Sequence, residues 1–308
     1  MGIVGRAIME SNKLVGKTAV ITGANTGIGK ETARHLLKQG ARVIIACRSA
    51  SRAEEACRDL KADLAENASL EVIGLDLSSL ASVRECAVQL ISRGEKINIL
   101  INNAGVMACP YSKTQDGIEM QFGVNHVGHF LLTTLLLPVL TENAPSRIVT
   151  VSSHAHYAGS INLDDLNSEK SYSPFRAYAQ SKLANVLFSK ELGRRLHGTG
   201  VTSYSVHPGL VATELGRHIH KEDEPPTLGR RIIHALAKTP AQGAQTSIYC
   251  AVSKRVTQQS GWYYSRCGRA LTSPLVLGEA RARRLWEETE KLVAPFSSPI
   301  PRPSAPSQ

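Results

Sequence analysis

The sequence predicts one α/β domain, a doubly wound parallel sheet of about seven strands with helices on both faces. Three observations predict it. Helix-period and strand-period segments alternate almost throughout the chain. The strand segments are apolar on both faces, as strands covered by helices on each side must be. The 308 residues are 42% hydrophobic, enough for one large core, and no internal repeat or early linker divides them.

The elements follow in order. TAVIT (18–22) is a short buried strand, and GKETARHLLKQGA is a helix that ends at Gly40, a residue suited to a C-cap. RVIIACR is a second strand, and SRAEEACRDLKADLAE a charged amphipathic helix. LEVIGLDL is a third strand, and SSLASVRECAVQLIS a helix with a serine N-cap. INILINNAG is a fourth strand, a long helix covers 117–140, and RIVTVSS is a fifth strand. A helix over 175–198 precedes a sixth strand, VTSYSVHPG, and GWYYS is a seventh. Right-handed crossovers between such strands put ligands at their C-terminal ends. The domain is expected to span 15–292, after an N-terminal segment 1–14. The Pro/Ser-rich tail 293–308 reads as disordered, and its P-x-x-P spacing also matches an SH3 ligand.

The formal charge of +10 and pI of 9.4 suit an anionic cofactor or an acidic membrane surface. No aromatic-plus-basic motif is present, so nucleic acid is not an expected partner. The six cysteines form no C-x-x-C pair, which argues against zinc and for reduced intracellular thiols. No stretch is read as a membrane span. FLLTTLLLPVL (130–140) is too short and reads as a core helix. The N-terminus lacks a secretory h-region, and Arg6 stands where myristoylation requires Ser or Thr. Cytoplasmic, mitochondrial and peripheral ER placements all fit.

The first strand runs into TGANTGIGK. Gly23, Gly27 and Gly29 let the backbone turn sharply beside a pyrophosphate seated at the next helix N-terminus, with Asn25, Thr26 and Ile28 completing the loop. The second strand ends in IIACRSASR. No carboxylate is there to receive a ribose 2′-hydroxyl, whereas Arg48 suits a 2′-phosphate, so the expected cofactor is NADP(H). Asp76 and Leu77 close the third strand, where they either flank an adenine or simply begin a helix.

AYAQSKLA (177–184) places Tyr178 and Lys182 one helical turn apart. A phenol is a poor base at neutral pH, and a neighbouring ammonium is expected to lower its pKa toward a usable value. With TGANTGIG, NNAG (102–105), VSS (151–153), YAQSK and HPGLVAT (207–213), the chain resembles the short-chain dehydrogenase/reductase family over residues 15–292. The resemblance implies a Rossmann-type fold. It also implies a catalytic set of Tyr178, Lys182, Ser153 and Asn125, with Ser152 second to Ser153 because it points to the other strand face. Tyr178 would pass the proton, Ser153 would donate to the developing oxyanion, and Lys182 would also bind the nicotinamide ribose. Asn125 would hold a water leading to Lys182. Asn103, Ala104 and Gly105 would border the cofactor, Asn102 would order the central strand, and Pro208, Gly209, Val211 and Thr213 would meet the nicotinamide and phosphates. His126, His129, His154 and His156 lack metal-ligand partners and read as structural or solvent-facing, with His156 and Tyr157 also placed to line a substrate pocket.

IIACR, INNAGVM, DGIEMQFGVNHVGHFLLT, VHPGLVATELGRH and GAQTSIYCA narrow the resemblance to the retinol dehydrogenase group, NADP(H)-preferring reductases of retinal and related lipid aldehydes. The group's N-terminal anchor is not read here. The loop ELGRHIHKEDEPPTLGRRIIHALAKTP reads equally as a lid or as a basic helix lying on a membrane. Two other readings stay open: a carbonyl reductase of steroids or other lipid carbonyls, and a non-catalytic NADP(H)-binding scaffold.

Overall fold

The computed structural model describes residues 14–64, 68–211 and 237–301. Its centre is an eight-stranded sheet ordered β3-β2-β1-β4-β5-β6-β7-β8. The strands are β1 Thr18–Thr22, β2 Arg42–Cys47, β3 Leu70–Gly74, β4 Ile97–Asn102, β5 Ser146–Val151, β6 Val201–His207, β7 Trp262–Ser265 and β8 Gly268–Arg269. All neighbours through β7 are parallel, and β8 returns antiparallel. Strand β8 is an eighth where the sequence predicts seven. It is two residues long, folded back through Arg266 and Cys267 at φ of 52° and 57°, and carries too little sequence to show a period.

Period-2 alternation sorts the core into two layers. Along β1, Ala19 and Ile21 face one side and Val20 the other. The first layer packs under α1 (Gly27–Lys38), α2 (Ala50–Ala62) and α6 (Pro240–Val252). The second packs under α3 (Leu80–Ser92), α4 (Met120–Glu142), α5 (Pro174–Arg195) and α7 (Glu279–Val293). Helices α6 and α7 go beyond the elements expected from the sequence. Helix α6 nonetheless begins with a full start signal: a Thr239/Gln242 capping box with Pro240 in the first turn. Helix α7 buries Ala282, Leu285, Trp286, Thr289 and Val293 on one face, and Trp286 stacks on Phe188 at 5.7 Å.

One other expectation is corrected. The tail expected to be disordered from 293 is held as far as 301. Val293 still belongs to α7, Phe296 and Ile300 pack on the core, and the Arg84 guanidinium donates to the Phe296 and Ser298 carbonyls at 2.9 and 2.7 Å. Helix α4 is also long and apolar enough to cross a membrane, which FLLTTLLLPVL alone is not, yet 83% of that window is buried within the fold. It is a core helix.

Strand β1 lies between β2 and β4, and the chain leaves β1 and β4 in opposite directions. A crevice opens at such a switch point, outside the strand C-termini. The loops after β1, β4, β5 and β6 all end there.

Candidate active site

At the end of β1 the chain turns at Gly23 and Gly27, with φ of 63° and 55°. A Cβ on Gly23 would lie 2.9 Å from Ala104 Cα, so only glycine lets the first loop meet the loop after β4. Thr26 caps α1 in an extended conformation without a side-chain hydrogen bond, and no acidic residue sits in the first turn. The positive end of α1 therefore faces the crevice, with Asn25, Thr26 and Ile28 in the turn. This donor set fits a pyrophosphate. Ile28 packs on Ala244 and Ile248 of α6. A Cβ on Gly243 would meet Val211 and Ile28 at 2.7 and 3.2 Å, so α6 draws the loops after β1 and β6 together.

The remaining expected cofactor residues divide. Arg48 stands exposed one residue beyond β2, with no ion pair to any described residue. Ala104 and Gly105 edge the crevice. Asn103 spends its side-chain amide on the Thr22 and Gly23 carbonyls at 2.8 and 3.3 Å, so it staples the loop itself. Asn102 donates to Thr133 Oγ1 at 2.9 Å inside the sheet. Asp76 Oδ1 accepts from the Ser78 N–H and hydroxyl at 2.9 and 2.7 Å, the helix-starting use that is the plainer alternative. Leu77 is buried in the core against Gly128. Pro208 is buried, Gly209 adopts φ of 98°, and Val211 forms a parallel bridge with Lys238. Thr213 and most of the candidate lid or membrane helix lie outside the described residues.

At the chemical end, α5 presents Tyr178 and Lys182 on one face, with Lys182 Nζ 5.6 Å from the Tyr178 ring centroid. Nζ donates to the Val151 carbonyl at 3.1 Å. A Cβ on Gly105 would lie 3.5 Å from Nζ, which fixes the lysine against the loop after β4. Ser152 donates its hydroxyl to the Lys182 carbonyl at 2.7 Å and is buried. Ser153, on the opposite pleat, caps the following short helix by accepting from the Ala155 N–H and acts on the Tyr178 phenol. Asn125 lies in a π turn, Gly123–Val127, within α4. Its amide accepts from the Val106 N–H at 2.8 Å and donates to the Val106 carbonyl and Ser181 Oγ, both at 2.9 Å.

Electrostatics depart from the sequence expectation. Burial pushes the Tyr178 phenol up to about 12, and only Ser153 pulls it back. Burial likewise brings the Lys182 ammonium down to about 8. Desolvation disfavours both charged forms, and it outweighs the attraction that sequence spacing alone suggests. Tyr178 is thereby held protonated, and Lys182 is poised near neutrality.

Two residues gain roles that motif reading does not assign. Thr22 Oγ1 accepts from the N–H groups of both Asn103 and Ala104 at 2.9 Å. His156 donates from Nδ1 to the Ser153 carbonyl at 2.7 Å and accepts at Nε2 from the Ser273 N–H at 3.2 Å. It therefore clamps the Ser153 turn to the C-terminal segment, where Tyr157 donates to the Leu271 carbonyl at 2.6 Å. The sequence signal for His156 is its position three residues past Ser153, in reach of that carbonyl. Among the described residues no group of three His, Cys, Asp or Glu side chains is placed to hold a metal ion, and no cysteine is in a disulfide.

The family model for short chain dehydrogenase matches residues 17–224. Retinol dehydrogenase 14 of Mus musculus is 50% identical over 291 residues, covering 90% of this chain and 86% of that protein. Retinol dehydrogenase 13 of Homo sapiens is 47% identical over 308 residues, covering 97% and 93%. An uncharacterized protein from Mycobacterium Paratuberculosis has a similar crystal structure, with a TM-score of 0.76 at 37% identity over 96% of this chain and 98% of that one. The Pseudomonas aeruginosa RhlG/NADP active-site complex has a TM-score of 0.66 at 27% identity over 83% and 96%.

Proposed function

The chain belongs to the short-chain dehydrogenase/reductase family, in its retinol dehydrogenase group, and from that premise we propose that it interconverts retinol and retinal, or related lipid aldehydes, with NADP(H). It is an oxidoreductase acting on CH–OH groups with an NAD(P)(H) dinucleotide. The observation that carries the reading is the convergence of Lys182 and Asn125 on the loop after β4, with Tyr178 one helical turn from Lys182 and Ser153 beside the phenol.

The dinucleotide supplies the hydride in reduction and accepts it in oxidation. The protein's own groups handle the proton. Tyr178, protonated by virtue of burial, donates to the carbonyl oxygen as charge develops there. The Ser153 hydroxyl donates a hydrogen bond to the same oxygen. Lys182 holds the cofactor ribose and, with the Asn125 turn, leads a replacement proton to Tyr178. The loops after β1 and β6, gathered by α6, orient the nicotinamide and phosphates. A peripheral membrane contact would use the basic stretch after Val211, most of which lies outside the described residues.

Arg48 supports NADP(H) over NAD(H). It is exposed at the end of β2 with no carboxylate in place to repel a 2′-phosphate. A charge-assisted hydrogen bond of roughly 1.5–3 kcal/mol is at stake, so Arg48→Glu is expected to raise the KM for NADPH by about ten- to hundred-fold. The KM for NADH should stay nearly constant. Equal effects on both cofactors would remove Arg48 from that role.

Steady-state rates with all-trans-retinal, a steroid ketone and a short alkenal, each with NADPH, test the substrate. Retinal should give the highest kcat/KM. A faster steroid reaction would favour the general lipid-carbonyl reductase, and tight NADPH binding with no turnover of any carbonyl would favour the scaffold.

A further inference from the structure

We propose that His129 is a positioning residue: it closes a ring of buried hydrogen bonds that holds the loop after β4 in one fixed relation to both the glycine loop and the Asn125 turn. The inference rests on the oxidoreductase reading only for its catalytic consequence. The ring itself is a property of the fold.

The ring can be followed atom by atom. The loop 103–106 is gripped at both ends. At its start, Thr22 Oγ1 accepts the Asn103 and Ala104 N–H groups, both at 2.9 Å. At its end, the Asn125 side chain pairs with the Val106 N–H and carbonyl at 2.8 and 2.9 Å. His129 joins the two grips. Its Nδ1 lies 3.0 Å from the Asn125 carbonyl and its Nε2 lies 2.8 Å from Thr22 Oγ1. Gly105, midway between the grips, is the residue that abuts Lys182 Nζ.

The proton inventory admits one arrangement. A carbonyl can only accept, so Nδ1 carries the imidazole proton and Nε2 must accept. Thr22 Oγ1 already uses its lone pairs on two N–H groups, which leaves its own proton for Nε2. The alternative acceptor, the Ile101 carbonyl, is farther away at 3.5 Å. Every member is then satisfied. His129 and Asn125 are almost wholly buried, as is Thr22, so an unmade bond has no water to replace it.

The ring requires a neutral imidazole, and burial provides one by holding His129 at about 4. The hydrogen bond to the Asn125 carbonyl opposes this shift, and the charge of Lys182 adds to it. An uncharged ring also spares Lys182 a buried like charge. Nothing about packing alone calls for histidine: an apolar side chain would fill the space but would leave the Thr22 hydroxyl proton only the Ile101 carbonyl, at a long 3.5 Å.

Three variants divide the ring. His129→Asn retains a donor at the Nδ1 position and reaches only the Asn125 carbonyl. His129→Gln reaches only Thr22. His129→Leu reaches neither. Each is read by NADPH titration, by amide hydrogen exchange of residues 103–106 in cofactor-free protein, and by kcat and KM for the best carbonyl. We expect each broken ring to lower NADPH affinity and kcat by about ten-fold, with the carbonyl KM unchanged. Exchange at 103–106 should accelerate while that of α6 stays constant. Asn and Gln should each lose about as much as Leu, because a ring opened at either bond is open.

Folded His129→Leu with wild-type NADPH affinity and wild-type exchange at 103–106 would overturn the proposal. If the leucine variant does not fold, wild-type values in both half-ring variants would overturn it equally. Should the wild-type protein bind NADPH yet turn over no carbonyl, the oxidoreductase reading fails, while the titration and exchange arms still decide the ring.

Discussion

Tyr178→Phe is expected to lower kcat for carbonyl reduction by about 10³-fold, within the range that a positioned proton donor contributes. NADPH affinity should change little, because phenylalanine keeps the ring that packs at 6% exposure and removes only the oxygen. The loss should fall on kcat rather than on the carbonyl KM, since the proton is needed as the oxygen gains charge. The pH profile of the native protein gives a second test. Reduction requires protonated Tyr178, and with its phenol near 12 that condition holds at all lower pH. Lys182 is the group that changes in the working range. Its folded pKa is lowered to about 8, so the ammonium is present below that value and lost above it. Reduction should therefore be flat below about pH 8 and fall above it, and Lys182→Arg should move that limb upward. A Tyr178→Phe protein with near-native kcat would end the proton-donor assignment.

Gly29→Ala is expected to abolish measurable cofactor binding or to prevent folding. The added Cβ would lie 2.5 Å from Asn103 Nδ2, 2.6 Å from the Gly23 carbonyl oxygen and 2.9 Å from Ala24 Cα. Two of the three are backbone atoms that cannot rotate away. Overpacking of this kind costs about 1–3 kcal/mol before any effect on ligand. The one mobile neighbour, Asn103, is the side chain that staples β1 to β4. Relief by moving Asn103 would open the loop that positions Gly105 against Lys182. Thermal unfolding and NADPH titration on the same sample separate the two outcomes. A stable variant with native affinity would show that the glycine loop has slack the geometry does not display. Gly74, by contrast, has open space where a Cβ would stand, and alanine there should be well tolerated.

The sheet and most of the site are legible in the sequence because they rest on local periodicity. Tyr178 and Lys182 share a helix face by simple spacing, and the strand pleat separates Ser153 from Ser152. Strand ends are less legible. The apolar pattern carries the third strand through Leu77, yet it stops at Gly74; the same pattern carries the fourth into NNAG, yet it stops at Asn102. Apolar motif loops simply continue the strand pattern. The packing of Leu77 against Gly128 is a tertiary fact that its place at a strand end does not reveal. The same limit explains why spacing misjudges Tyr178. Sequence reveals a nearby ammonium, whereas desolvation depends on everything packed around the pair. Helix α7 carries a readable period in Ala282, Leu285, Trp286, Thr289 and Val293, but its partners, Phe130 and Phe188 among them, are a tertiary fact that spacing does not supply.

The π turn in α4 has a consequence for helical phase. An α-helix advances about 100° per residue, and a π turn accommodates one more residue than that rhythm allows. Excising a single residue from 123–127 would rotate one half of α4 against the other by that angle. Phe122 and Phe130 lie on either side of the turn, both fully buried, and could no longer share one interior. The spare residue thus acts as a phase shifter, letting one rod address the crevice and the core with two differently aimed faces.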